Sequence, residues 1–294
     1  MIKKAIILCG GTGSRMFPVT KAVNKQLLPV FDKPMFYYPL SLMMLSGIRD
    51  FIFIINKNQE KNFREAIGNV KDLGIKISFI VQIEPRGLPE AFILSEKLIK
   101  DETVAMILGD NFFYGSMLSP IIKNSFKKTN GCNIYLYPSN NTSAYGVVEF
   151  DKKNKIKKIV EKPKKTNSNL IITGLYVFDK KVVEYAKNLR PSKRGEIEMV
   201  DLINIYKKKN KLNIIKLGRG SAWMDVGNFN DLHSASNFIQ NIEDRQSFKI
   251  GCLEEIALNN RWIDKENIIS RIESNRNNFY SNYLKKLIKK NVSN

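Results

Sequence analysis

The stretch Lys4-Ala5-Ile6-Ile7-Leu8-Cys9, followed at once by Gly10-Gly11-Thr12-Gly13-Ser14-Arg15, decides the fold. The first half is a short, almost unbroken apolar run, which reads as a strand buried on both faces. The second half cannot continue it, because the glycines favour a turn. In an open α/β sheet, ligands bind beyond the carboxyl ends of the strands. Glycines there let the backbone approach a phosphate with its N–H groups turned inward. Arg15 adds a permanent charge and a planar fork of donors suited to phosphate oxygens. Two familiar phosphate loops do not fit. A dinucleotide fingerprint needs a third glycine where Met16 stands, and a P-loop needs a Gly-Lys-Ser/Thr ending where Arg15 follows Ser14.

Outward from this turn, strand and helix patterns alternate. Apolar strand runs cover 51–55, 76–81 and 104–108, the last broken by Gly109-Asp110-Asn111. Helical patterns cover 40–45, stopped at Ser46-Gly47; 59–67, stopped at Gly68; and 88–98, which places Leu88, Ala91, Phe92 and Ser95 near one face. This order predicts an α/β fold: a Rossmann-like, mixed but mostly parallel sheet with helices on both faces. The second half is denser in strands, at 132–137, 147–150, 157–161, 171–178 and 212–217. Helices are expected at 181–188, 198–208 and 228–242, and the last fifty residues read as mainly helical. The expected organisation is one domain over 1–242, in a first part of about 1–130 and a second of about 131–227. A helical segment, 243–294, packs on it.

Composition narrows the chemistry. The chain has 294 residues, 43% of them hydrophobic, enough for a sizeable core. No apolar run approaches the roughly 18 residues of a spanning helix, and no signal-peptide pattern opens the chain. A cytoplasmic, non-membrane protein is expected. The three cysteines are far apart, and there is one histidine, His233. Neither a disulfide framework nor a zinc site follows. His233 falls inside a helix and reads as a surface or interface residue. Chemistry must come from carboxylates, lysines, arginines and backbone, and any metal should be a hard, oxygen-bound one such as Mg²⁺. The net charge of +20 could serve a nucleic acid. The lysines are scattered pairs, however, such as Lys152-Lys153 and Lys157-Lys158. No nucleic-acid partner is therefore expected.

The run 10–40 resembles the sugar-nucleotide pyrophosphorylases. Lys25-Gln26-Leu27-Leu28-Pro29 with Tyr37-Tyr38-Pro39-Leu40-Ser41 resembles, within them, the glucose-1-phosphate thymidylyltransferase family. Leu108-Gly109-Asp110-Asn111, Tyr145-Gly146-Val147-Val148-Glu149-Phe150, Glu161-Lys162-Pro163, Thr173-Gly174-Leu175-Tyr176, Arg194-Gly195-Glu196 and Trp223-Met224-Asp225-Val226-Gly227 extend the resemblance along the chain. Cys9, Asn24 and Pro89-Glu90 depart from the family's usual Ala, Ser and Ala-Gln.

The resemblance implies Mg²⁺-dependent transfer of a thymidylyl group from dTTP to glucose 1-phosphate, the first step towards dTDP-sugars. A relative using UTP or another sugar phosphate is the alternative. By the same resemblance 1–242 is a nucleotidyltransferase domain with a nucleotide-binding part of about 1–130 and a sugar-binding part of about 131–227, and Asp110 and Asp225 hold the metal. Gly10, Gly11, Gly13, Ser14, Arg15 and Lys25 contact the triphosphate, with Arg15 on the leaving pyrophosphate. Lys162 holds the sugar phosphate against the α-phosphorus. Gln26, Gln82 and the Gly87 backbone read the base. Asn111, Tyr145, Gly146, Glu161 and Ile172 meet the sugar, and Tyr176 and Trp223 pack on it. A homotetramer, open to feedback inhibition by a dTDP-sugar end product, is also implied.

Overall fold

The structure is a computed structural model that describes residues 2–100, 102–127, 129–274 and 278–290. Its first half contains β1 (Lys4–Cys9), a small hairpin of β2 (Pro29–Val30) and β3 (Lys33–Pro34), α1 (Tyr37–Leu45), β4 (Asp50–Asn56) and α2 (Glu60–Ile67). There follow β5 (Lys76–Gln82), α3 (Glu90–Leu94), α4 (Glu96–Ile99), β6 (Val104–Leu108), β7 (Asn111–Tyr114) and α5 (Leu118–Lys127). The second half runs β8 (Cys132–Pro138), β9 (Gly146–Phe150), β10 (Ile156–Glu161), β11 (Leu170–Phe178), α6 (Val182–Lys187), α7 (Met199–Lys208), β12 (Leu212–Lys216) and β13 (Ala222–Asp225). The chain ends in α8 (Phe229–Gln246), α9 (Leu253–Asn259), α10 (Lys265–Ser274) and α11 (Phe279–Lys290).

The main sheet has the order β10-β9-β11-β6-β1-β4-β5, with β8 also on β11 and β12 on β8. Strands β6, β1, β4 and β5 are parallel, as the alternating first half predicts. Beyond β6 the sheet continues through the antiparallel pairs β6–β11, β11–β8, β11–β9 and β9–β10. The result is a mixed sheet whose parallel half carries the glycine loop.

Side-chain alternation explains why helices cover both faces. Ala5, Ile7 and Cys9 of β1 point into one core with Phe36, Phe51, Phe53 and Phe63. Ile6 points into the other, with Ile52, Ile54, Phe92, Phe178 and Tyr206. Phe53 touches Phe36, Phe63 and Phe79 ring to ring. Truncating such a fully buried ring to alanine costs about 3–5 kcal/mol.

Three local readings change. The helix expected over 88–98 breaks at Ser95, whose φ −86° and ψ 0° separate α3 from α4. Strand β7 and helix α5 stand where no element was expected. Asp225 is the last residue of β13, a strand where no element was expected, which pairs with β7 as a separate ribbon.

Within the C-terminal segment, residues 275–277 and 291–294 lie outside the described residues. The rest is tied to the body of the molecule by buried charge. Glu243 accepts from Lys33 Nζ (3.2 Å), Lys249 Nζ (2.8 Å) and the Ile250 N–H (2.8 Å), and both lysines also pair with Asp32. Arg271 joins Glu254 (2.8 Å) to the Ile67 carbonyl at the end of α2 (2.9 Å). All three cysteines are free and buried. Among the described residues no helix is long and apolar enough to cross a membrane.

Candidate active site

The loop after β1 is held from three sides. Gly11 and Gly13 have φ of +102° and +60°, which a side chain would strain. Asn56, the last residue of β4, pairs with Gly11 through both halves of its amide. It accepts from the Gly11 N–H (3.0 Å) and donates to the Gly11 carbonyl (2.7 Å). Thr20 donates to the Gly13 carbonyl (2.9 Å). At Gly10 a Cβ would lie 2.6 Å from Gln82 Oε1, so glycine is what lets Gln82, at the end of β5, abut the loop. Asn24 braces the following turn. Its amide donates to the Cys9 carbonyl (3.1 Å) and accepts from the Gln26 N–H (2.9 Å), capping the turn that carries Lys25 and Gln26.

Gln82 is buried, and its amide is oriented. Glu90, at the start of α3, accepts from Gln82 Nε2 (2.7 Å) and from the Arg86 N–H (3.1 Å). A carboxylate without a proton can only accept, so Gln82 must turn Nε2 towards it and Oε1 away. Gly87 has φ +114°, and a Cβ there would lie 2.1 Å from the Ile197 carbonyl oxygen. Glycine at this position is thus required by the close crossing of two backbone segments.

The charged centre lies where β6 meets the β7–β13 ribbon. Lys25 Nζ reaches Asp110 Oδ2 at 2.6 Å, and both groups are largely buried. The Val226 N–H donates to the Asp110 carbonyl (2.9 Å), which fixes the chain just after Asp225 against the chain just after β6. Asn111 Nδ2 lies 3.0 Å from Asp110 Oδ1 and 3.5 Å from Asp225 Oδ1, so the two carboxylates converge on one amide. Burial, together with the repulsion of Asp110, pushes the Asp225 carboxyl up to about 7, against the pull of Lys25 and Arg15. Such a pair calls for a cation. Two converging carboxylates, with an open cavity beside them, fit a hard divalent ion that takes its remaining ligands from phosphate and water. Arg15 packs on Gly227, where a Cβ would lie 3.0 Å from its guanidinium nitrogens.

Beside this centre opens a cavity of about 280 Å³. Arg15, Asp110, Asn111 and Asp225 are among the residues that line it. Tyr145, Gly146, Glu161, Lys162, Ile172, Tyr176 and Trp223 line its walls. Every residue expected to meet the sugar or its phosphate therefore faces one space. Gly146 is opposite Glu161 in the β9–β10 pair, and a Cβ on it would strike Val200 at 2.8 Å. Lys162 adopts φ +43° immediately before Pro163, and its N–H donates to the Tyr145 carbonyl (3.0 Å). A non-glycine residue held there is strained. Trp223 packs edge-on against Tyr145, and its indole N–H donates to Asn111 Oδ1 (2.8 Å). Burial and the nearby Glu198 raise the Glu161 carboxyl above its ordinary range.

Polar residues not expected at the site include Asn24 and Glu90, both buried, Asn56, half-buried against the glycine loop, and Arg194 and Glu198, which line the cavity. Arg194 binds Glu198 through Nε (3.0 Å) and a terminal nitrogen (2.8 Å), and stands 3.8 Å from Glu161. The Arg194-Gly195-Glu196 motif was the available signal for this cluster. His233 lies exposed on α8 beside Asn237 (3.0 Å), away from this chemistry.

A phosphate-type glycine loop, a paired-carboxylate centre and a sugar-sized cavity on one mixed sheet define a nucleotide-to-sugar transferase. Residues 4–242 match the family model described as nucleotidyl transferase, and the chain belongs to that family. Over 287 residues, 98% of this chain and all of its relative, it is 43% identical to the glucose-1-phosphate thymidylyltransferase of Neisseria meningitidis. The fold superposes with a TM-score of 0.74 and 33% identity on a Bacillus anthracis chain assigned as a glucose-1-phosphate thymidylyltransferase and crystallised with sucrose. That match covers 80% of this chain and 94% of the other. A UDP-glucose pyrophosphorylase bound to UDP-glucose superposes at 0.72 with 25% identity, covering 82% and 100%.

Proposed function

We propose that this nucleotidyltransferase joins dTTP and glucose 1-phosphate to give dTDP-glucose and pyrophosphate. The observation that carries the reading is the placement of Asp110, Asp225, Arg15 and Lys25 between the glycine loop and the cavity. The near full-length likeness to a thymidylyltransferase supports the choice of substrates.

A phosphate oxygen of the sugar 1-phosphate attacks the α-phosphorus, and the bond to the pyrophosphate oxygen breaks in line. The nucleophile is already an anion, so no general base is needed. Alignment and charge neutralisation are what the protein must supply. Asp110 and Asp225 would hold Mg²⁺, which when bound neutralises phosphate charge at the reacting centre. Arg15 meets the pyrophosphate as its charge develops. Lys25 reaches from Asp110 towards the triphosphate, whose inner face is formed by Gly10, Gly11, Gly13 and Ser14. Lys162, pinned by its backbone, delivers its ammonium to the sugar phosphate. Glu161, Tyr145 and the backbone at Gly146 and Ile172 contact the sugar, with Tyr176 and Trp223 as its walls. Gln26, Gln82 and the Gly87 backbone contact the pyrimidine. Gln82 presents Oε1, an acceptor that matches the N3–H of thymine or uracil and not the bare N3 of cytosine.

UTP is the expected weaker substrate, because a single methyl contact is worth only ~1–3 kcal/mol. A cytoplasmic homotetramer inhibited by a dTDP-sugar completes the proposal. Pyrophosphate release over a grid of nucleotides and sugar phosphates, with and without chelator, tests it. Strong preference for ATP, GTP or CTP over both dTTP and UTP would refute the assignment, as would full activity without divalent metal.

A further inference from the structure

Asn56 belongs to no motif of the sequence, yet it joins the sheet to the glycine loop. We propose that Asn56 is a positioning residue for the nucleotide: its carboxamide serves as an added peptide group at the end of β4 and holds the loop in its anion-receiving shape before nucleotide arrives. The role rests on the reading of that loop as the triphosphate site.

The strand register creates the opening that Asn56 fills. The parallel ladder between β1 and β4 ends at Cys9 opposite Ile55. Asn56 lies one residue further, and on its other side it is still paired with Gln82 of β5. Strand β1 stops at Cys9, so its backbone offers β4 no further rung. The Asn56 side chain supplies one. An amide side chain carries a donor and an acceptor, as a peptide unit does. Oδ1 accepts from the Gly11 N–H (3.0 Å) and Nδ2 donates to the Gly11 carbonyl (2.7 Å). Both bonds go to one residue, so they fix the rotation of the chain there, at φ +102°, where a glycine has little resistance of its own.

The loop so fixed leaves a run of donors unpaired. Beyond Gly11, Thr20 holds the Gly13 carbonyl (2.9 Å), and the Met16 and Phe17 N–H groups turn back onto the Gly13 and Ser14 carbonyls. The intervening N–H groups of Thr12, Gly13 and Ser14 have no protein acceptor among the described residues. Gly13 is left-handed, at φ 60° and ψ 26°. Successive N–H groups around such a residue form a concave anion site. Without the Asn56 amide, the nucleotide itself would have to order that concavity, at a cost in affinity. The base reader is held differently, Gln82 being fixed by its own ladder with β4 and by Glu90. The Asn56 side chain should therefore govern the phosphate end of the nucleotide and not the base.

The test uses the full chain with excess Mg²⁺ and two probes competing with dTTP: inorganic tripolyphosphate for the phosphate end and thymidine for the base end. Asn56→Ala is expected to weaken tripolyphosphate binding by on the order of tenfold, since two neutral hydrogen bonds are lost. The KM for dTTP should rise in proportion, while the inhibition constant of thymidine and the KM for glucose 1-phosphate move less than about twofold. Tripolyphosphate inhibition unchanged within about twofold would overturn the proposal. Equal weakening of both probes would overturn it as well, because that marks a general loosening of the strand end. Failure of tripolyphosphate to compete with dTTP in the wild type would instead remove the triphosphate reading of the loop, and the proposal with it. If Asn56→Ala does not fold, Asn56→Ser carries the same expectation, since its shorter hydroxyl cannot make both Gly11 bonds, and the same results decide.

Discussion

Glutamine is the residue the resembled family usually carries at position 90; in this chain, where a charged acceptor orients Gln82, exchanging Glu90 for it swaps one oxygen for one NH₂ and should loosen base selection. Glu90 accepts from Gln82 Nε2 at 2.7 Å and from the Arg86 N–H at 3.1 Å, and it is buried. A hydrogen bond to a charged group contributes about 1.5–3 kcal/mol, and a neutral one about 0.5–1.5. Each of the two bonds therefore weakens by about 1 kcal/mol, while the ion pair with the exposed Arg86 side chain adds little. A glutamine at 90 can also donate, which lets the Gln82 amide turn over. About 1 kcal/mol on that orientation corresponds to roughly fivefold in population. The expected result for Glu90→Gln is a several-fold higher KM for dTTP and a similar loss in the ratio of kcat/KM for dTTP over CTP. Turnover at saturating dTTP should be nearly unchanged. Steady-state pyrophosphate release with each nucleotide measures all three. A dTTP/CTP ratio unchanged within twofold would refute the idea that Glu90 sets the face Gln82 shows to the base.

Metal affinity should fall with acid, because Asp225 must lose its proton to bind an ion and its carboxyl is pushed up to about 7. From about pH 8 to about pH 6 the ionised fraction drops roughly tenfold, so Mn²⁺ binding should weaken by about that factor. A flat profile refutes it, and Asp225→Asn should abolish the dependence. The same raised carboxyl makes folding without metal easier in acid. Wild type should lose Tm relative to Asp225→Asn as pH rises from about 4 to about 7, with no further loss above that. Arg15→Lys keeps the charge but not the planar fork, and should lower kcat by on the order of 10²-fold in a single-turnover assay. A change confined to KM would make Arg15 a binding residue only. Gly174→Ala drives a Cβ to 2.5 Å from Asn111 Oδ1, and should lower both Tm and Mn²⁺ affinity. Unchanged values for both would show that the amide has room to move.

The parts of the molecule legible in its sequence are those whose signal is local. Strand β1 and its glycine turn, the Gly68 stop of α2 and the alternating first half are patterns within a few residues of one another. Asp110 could be placed because it directly follows such a strand. The β7–β13 ribbon could not. Each of its strands has four residues of mixed polarity, too short to establish a period, and they pair across more than a hundred residues. Asn24, Asn56 and Glu90 were missed for a related reason. Each acts through a hydrogen bond whose partner is set by tertiary packing, as when Asn56 clasps a backbone 45 residues away. Glu90 was visible only as a departure from a family pattern, and its meaning came from the neighbour it holds. Arg194 and Glu198 lay in or beside a motif already noted, but their place on the cavity wall depends on how β10 and α7 come together.

The ribbon that joins Asn111 to Asp225 also sets when the enzyme can become an enzyme. The glycine loop, Lys25 and Asp110 leave the ribosome early, yet the second carboxylate follows Asp110 by more than a hundred residues. Contacts so distant in sequence close late, since the chain must give up the entropy of a long loop before they return anything. A nascent chain can hence complete its parallel strands while still lacking the second carboxylate of the proposed metal site. Nucleotide held with its reactive phosphate in place becomes possible only near the end of synthesis. Truncation between the end of β12 and residue 225 keeps every strand of the main sheet and removes the second carboxylate, and should yield a domain without activity.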